Sequence, residues 1–138
     1  MASKGLIGAL ATMLAGAALA GEPGKVAVEL NKLEAAAGGC RPYLVIENGT
    51  EHVFSSLKLD LVMFDTDGII VERVAVDAAP LPTGKTAVKI FDLKGLACDR
   101  IGRMLLNGLT GCSAGDAAPE DCLSLISTRS QATVPFIQ

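Results

Sequence analysis

The chain has 138 residues, with 12 Lys and Arg against 15 Asp and Glu, for a formal net charge of −3. No basic cluster stands out, so the charge argues against a nucleic-acid partner and against an anionic membrane surface. Tryptophan is absent and Tyr43, Phe54, Phe64, Phe91 and Phe136 are the only aromatics, a poor supply for a carbohydrate or nucleotide site built on stacking rings.

Met1-Ala2-Ser3-Lys4 carries one positive charge, Gly5 to Gly21 is an uncharged run of 17 residues, and Ala18-Leu19-Ala20 reads as an A-x-A cleavage site. This three-part layout predicts a secretory signal peptide over residues 1–20. The uncharged run contains four glycines and sits at the short limit for a membrane span. A cleaved leader is therefore expected, with no stable membrane insertion afterwards and a periplasmic or secreted location. No Arg-Arg pair precedes the run, which favours the general export route over the twin-arginine route. The remaining chain, Gly21 to Gln138, has 118 residues and fits one domain with its own core.

Val26, Val28 and Leu30 then alternate with Ala27, Glu29 and Asn31, predicting a first strand to about Leu33. The Leu, Glu and Ala content of Val26 to Ala37 also permits a helix, and Gly38-Gly39 ends either. Tyr43 to Glu47 is strongly β-prone and is stopped by Asn48-Gly49, a strand running into a turn. Asn48-Gly49-Thr50 also matches the N-glycosylation pattern; the turn is the preferred explanation.

The stretch that organises the rest runs from Leu57 to Val76. Leu57, Leu59, Leu61 and Met63 alternate with Lys58, Asp60, Val62 and Phe64, and Asp65-Thr66-Asp67-Gly68 leads into Ile69 to Val76. Two strands joined by a tight turn are the simplest reading. Val62 to Phe64 is apolar on both faces, so this strand is expected to be covered on both sides or to lie inside a sheet beside a second layer.

Ala78 to Gly84 holds two prolines and a glycine, a connection expected to cross between sheets. Thr86, Val88 and Ile90 alternate with Lys85, Ala87 and Lys89, predicting a fifth strand with its lysines facing water. Asp92 to Asp99 reads as a turn or a single helical turn. Arg100 to Asn107 is a sixth strand, weakened by Gly102, and Leu123 to Ser130 is a seventh. The Cys112 to Cys122 segment is expected to cap a hairpin between these last two, and Val134 to Ile137 could add a short edge pairing or simply fray.

Four cysteines in an exported chain predict two disulfides, and sequence allows three pairings. Cys112 with Cys122 is favoured because the segment between them is turn-forming and has little else to hold it, leaving Cys40 with Cys98. A metal or redox role is disfavoured: there is no C-x-x-C, and His52 is the only imidazole.

About seven short strands with turn signals between them predict an all-β, antiparallel two-layer sandwich. A small barrel fits the alternation too, but the proline-rich crossing favours the sandwich. Ile46-Glu47-Asn48-Gly49-Thr50, Leu59 to Ile70 with its Phe64-Asp65-Thr66-Asp67-Gly68, and Leu81-Pro82-Thr83-Gly84-Lys85-Thr86 together resemble the FxLyD-type immunoglobulin-like domains of prokaryotic envelope proteins. The resemblance covers roughly Leu44 to Asp92. It implies an immunoglobulin-like sandwich used as an extracytoplasmic accessory or interaction module.

Candidate chemistry is sparse. Asp65 and Asp67 followed by Gly68 could open a cation loop, but the EF-hand spacing is not met and a hairpin turn accounts for the same residues. His52 beside Glu51, with Ser55 or Ser56, could offer a base, a carboxylate and a hydroxyl. Neighbours on one strand or turn rarely converge, so no catalytic residues are assigned and no cofactor is expected. Asp116, Glu120 and Asp121 lie within a disulfide-tethered loop, which is pre-organised for contact; they are the candidate partner-binding residues. The expected function is a non-catalytic exported module that binds another envelope or periplasmic protein, with small-ligand or cation binding as the alternative.

Overall fold

The computed structural model describes residues 22–115 and 121–138, with positions 3, 5, 8 and 9. The leader expected over residues 1–20 otherwise lies outside the described residues, as do Asp116 and Glu120.

The strands are β1 Val26–Ala36, β2 Gly39–Asn48, β3 Phe54–Asp65, β4 Ile70–Asp77, β5 Thr86–Ile90, β6 Leu93–Lys94, β7 Ile101–Ala114, β8 Ile126–Ser130 and β9 Phe136–Ile137. Among the described residues they form two sheets: one in the order β5-β2-β1-β8 with β6 also beside β2, the other in the order β4-β3-β7-β9. The chain is an all-β sandwich in which seven strands have five residues or more. Both disulfides have the favoured pairing, Cys40 with Cys98 and Cys112 with Cys122.

Period-2 alternation builds the core. Leu57, Leu59, Leu61 and Met63 of β3 are all fully buried and meet Val28, Leu30, Leu44 and Ile46 of the facing sheet. Each such side chain contributes about 1.5–3 kcal/mol relative to leaving it exposed. The helical alternative for the first element is not realised: β1 pairs antiparallel with β2 from Val26↔Asn48 to Ala36↔Gly39. The β-branched Val26 and Val28 favour that outcome. The Ala78 to Gly84 connection does cross between sheets, from β4 to β5. It buries Ala78, Ala79 and Leu81 on the way, and Leu81 exchanges both backbone hydrogen bonds with Phe54.

Three features differ from expectation. First, β7 runs on through Cys112, and β8 does not return beside it as a hairpin partner. β8 crosses to the other sheet and pairs parallel with β1 from Val26↔Ile126 to Leu30↔Ser130. All of Val26 to Leu30 is buried, so this edge of β1 needs a covering strand. The place beside β7 is filled by β9, also parallel, with Phe136 buried. The sandwich is therefore not purely antiparallel.

Second, the faces of β5 are inverted. Leu44 and Ile46 fill the core and pair with Lys89 and Ala87, which places Val45 and its partner Val88 on the outside. Val88 and Ile90 are 56% and 53% exposed, while Lys89 turns to the inner side at the sheet margin. An inward charge on an edge strand discourages pairing with other chains.

Third, Gly102 marks a close approach rather than a weak strand. A Cβ there would lie 2.4 Å from the Asp65 carbonyl oxygen and 2.9 Å from its carbon. Both atoms are backbone and cannot swing aside. Gly102→Ala is expected to destabilise by about 1–3 kcal/mol, read by urea unfolding; a loss within error of zero would show that the β3 end moves freely.

Candidate functional site

The residues singled out from the sequence do not converge on one point. Asp65 Oδ1 accepts the backbone N–H groups of Asp67 and Ile69, each at 2.9 Å, and Gly68 has φ +82°. That carboxylate is thus occupied in closing the β3–β4 turn. Asp121 is exposed and supports the turn before β8: its carbonyl accepts Ser124 Oγ at 2.7 Å. Asp116 and Glu120 fall outside the described residues. The His52 ring lies 6.0 Å from that of Phe54, and Ser55 Oγ donates to the Ser113 carbonyl at 3.3 Å.

Asn48, read as a turn residue, is 1% exposed and ties three segments together. Its Nδ2 donates to the carbonyls of His52 at 2.8 Å and Leu81 at 3.0 Å, and its Oδ1 accepts from Thr50 N at 3.0 Å and Thr50 Oγ1 at 2.6 Å. An amide consumed in this way has no room for a glycan in the folded chain.

The feature that sequence reasoning missed is the outer face of the β4-β3-β7-β9 sheet. Because Leu61 and Met63 point inward, Asp60, Val62 and Phe64 point outward. The register sets Arg73 opposite Val62 on one side and Leu105 opposite it on the other, with Arg103 and Ile70 flanking Phe64. Ile137 of β9 lies beside Leu105. Val62, Phe64, Ile70, Arg73, Leu105 and Asn107 line an open depression of about 300 Å³. Ile70 is 61% exposed and its neighbour Ile69 62%, and no described segment of the chain covers them. The signal was present in the sequence: Val62 to Phe64 is apolar on both faces, and on the outer one Val62 is buried among its neighbours while Phe64 stays half-exposed.

A buried carboxylate underlies one side of this depression. Asp60, 6% exposed, accepts Arg73 Nε and Nη2 at 2.8 Å each and Asn107 Nδ2 at 3.0 Å. The Arg73 guanidinium and the Asn107 amide hold its carboxyl down at about 2, against some opposition from burial. A depressed folded value stabilises the fold above the ordinary aspartate pKa and ceases to do so as pH falls through the folded value. Wild type is therefore expected to lose stability relative to Asp60→Asn between about pH 4 and pH 2, measured by urea unfolding across that range. A pH-independent difference would refute the paired carboxylate. On the other side of the depression, the Arg103 guanidinium lies 4.4 Å from the centroid of the Phe64 ring, a cation–π contact that fixes its position on the face.

The outer face of the other sheet differs in character. There Arg41 pairs with Glu34 and Asp92, Arg129 pairs with Glu29 and Glu47, and Lys32 stacks on Tyr43. These charges are paired with one another, although the buried Glu47 Oε2, 3.5 Å from Arg129 Nη2, accepts no hydrogen bond among the described residues. The exposed apolar residues Val88 and Ile90 lie at its margin, whereas those of the β4-β3-β7-β9 sheet gather around a concavity. Comparison of the chain with protein-family models, curated proteins and solved structures finds no match.

Proposed function

We propose that this chain is a non-catalytic, exported β-sandwich that works as an accessory or interaction module of the cell envelope. It binds another envelope or periplasmic protein through the outer face of the β4-β3-β7-β9 sheet. The single observation that carries this reading is the open apolar depression with Val62 at its floor, the half-buried Phe64 and Leu105 beside it and Ile70, 61% exposed, at its edge. Contiguous exposed apolar surface on a folded chain marks interaction sites. Two disulfides fit an oxidising compartment. Among the described residues no helix is long and apolar enough to cross a membrane. The immunoglobulin-like resemblance points to the same kind of role.

Two measurements test it. Intact mass of the protein recovered from the periplasm, before and after reduction, should match Gly21 to Gln138 with two disulfides; an uncleaved chain with four free thiols would overturn the compartment. A photo-crosslinking residue at position 105, on the proposed face, should give a discrete adduct in cells, and the same probe at position 94, on the other sheet, should not. Equal labelling at the two positions, or none at 105, would remove the face from the account.

A further inference from the structure

We propose that the partner segment received by this face is acidic. An aliphatic or aromatic side chain seats in the Val62, Phe64, Ile70 and Leu105 depression, and Asp or Glu carboxylates beside it pair with Arg103 and Arg73. This rests on the binding-face reading above and adds the chemistry of the partner.

The chain as a whole is negative, at −3, yet no carboxylate is among the described residues that line the depression, and the guanidiniums of Arg73 and Arg103 stand beside it. Arg103 is exposed, is held over Phe64, and makes no ion pair among the described residues. Arg73 meets Asp60 through Nε and Nη2, so its Nη1 remains for another acceptor, and its side chain is 64% exposed.

Three of the carboxylates around this face are held by hydrogen bonds within the fold, while Asp67 and Glu72 stand in the adjoining turn and strand outside the lining. Asp60 is buried and takes three hydrogen bonds. Asp77 Oδ1 accepts the N–H groups of Leu57 and Ala79, and Asp65 Oδ1 those of Asp67 and Ile69. The charged groups that front the depression are therefore the two guanidiniums, with Asp60 buried beneath them. A second copy of the chain would bring its own arginines against these, and like charges across an interface are strongly disfavoured. An acidic segment meets two positioned guanidiniums, which suit carboxylates better than ammonium groups do. The apolar seat supplies affinity, and the arginine rim supplies orientation and speed of association.

The test is selection of a random linear peptide library on the full exported chain, with Leu105→Asp as the counter-selected protein. Far-UV circular dichroism confirms that the variants fold. Enriched peptides should carry an aliphatic or aromatic residue flanked by Asp or Glu, and should bind Arg103→Glu about tenfold or more weakly, the scale of one charge-assisted contact. Exchanging the acidic flanks for lysine should restore binding to Arg103→Glu. Enriched peptides that depend on Leu105 but show no acidic bias overturn the acidic partner and leave the binding face standing. No enrichment over the counter-selected protein overturns both. Sedimentation equilibrium serves as the check on self-association: a wild-type dimer dissolved by Leu105→Asp would assign the face to a second copy instead.

Discussion

Asn48→Ala is expected to lower the unfolding free energy by about 3 kcal/mol, although only one side chain near a turn is truncated. Four hydrogen bonds disappear together, each with a net worth of roughly 0.5–1.5 kcal/mol. The partners do not fare equally. The Leu81 carbonyl still accepts Phe54 N, and the His52 carbonyl keeps Thr83 Oγ1 at 3.2 Å. Thr50, itself 5% exposed, loses the acceptor of its backbone N–H, and a buried donor without a partner costs about 1–3 kcal/mol by itself.

Asn48→Asp separates the hydrogen bonds from the shape of the side chain. It puts a carboxylate against the carbonyls of His52 and Leu81, in a place where burial and those oxygens both favour its protonated form. Its pKa is raised on folding, so its deficit should be at least as large as that of Asn48→Ala at pH 7 and should shrink towards pH 4. The deficit of Asn48→Ala should not shrink. Chemical denaturation at the two pH values reads both; parallel losses for the two variants would show that the amide's polar bonds contribute little.

The same residue shows where reading the sequence reaches its limit. Asn48 was legible as a turn former because Asn-Gly chemistry is local, and its bond to Thr50 is local too. Its bond to Leu81 joins positions far apart in the chain, and no spacing rule announces it. The β3–β4 hairpin was legible for the complementary reason: the alternation of Leu57, Leu59, Leu61 and Met63 and the Asp65 to Gly68 turn are adjacent in sequence and agree with each other.

β5 was placed correctly along the chain and given the wrong face. A strand as short as Thr86–Ile90 has two apolar residues on one side and an alanine on the other, and pairing with β2 decides between them; a slip of one residue exchanges the faces. β8 likewise reads as a strand, but its partner depends on which edge is left uncovered, which is a property of the assembled sheets. Asp60 looked like the ordinary polar phase of an alternating strand. It becomes a buried carboxylate paired with an exposed arginine only because β4 and β7 deliver Arg73 and Asn107 to it from either side. The apolar depression is equally non-local: its one sequence trace, Val62 and Phe64 on the polar phase of β3, fits a strand covered on both sides or one inside a sheet beside a second layer, and β3 is the latter, between β4 and β7.

Replacing Cys40 and Cys98 together with alanine should cost about 4 kcal/mol, and replacing Cys112 and Cys122 together about 3, because the closed loops differ in length. The first pair is 58 residues apart in sequence and the second 10. Packing widens the gap beyond the loop term. Cys40 is 1% exposed and belongs to the core, so its loss also leaves a small void, whereas Cys112 lies near the surface end of β7. Apart from Leu93 and Leu96 in the core, the segment that the long bridge anchors has few backbone ties: β6 pairs with β2 at only Gly39↔Lys94 and Cys40↔Leu93, after which a 3-10 turn, Cys98–Arg100, leads straight into β7. Amide exchange should accordingly quicken over residues 93–100 when the long bridge is removed, and around the end of β7 and the start of β8 when the short one is. In neither variant should the centre of the binding face change, since Leu105 is held by its antiparallel pairing with Val62. With no tryptophan in the chain, unfolding is followed by far-UV circular dichroism. If the short bridge proves the costlier of the two, stability here is governed by what the Cys112 to Cys122 segment does in the folded state and not by the freedom its absence returns to the unfolded chain.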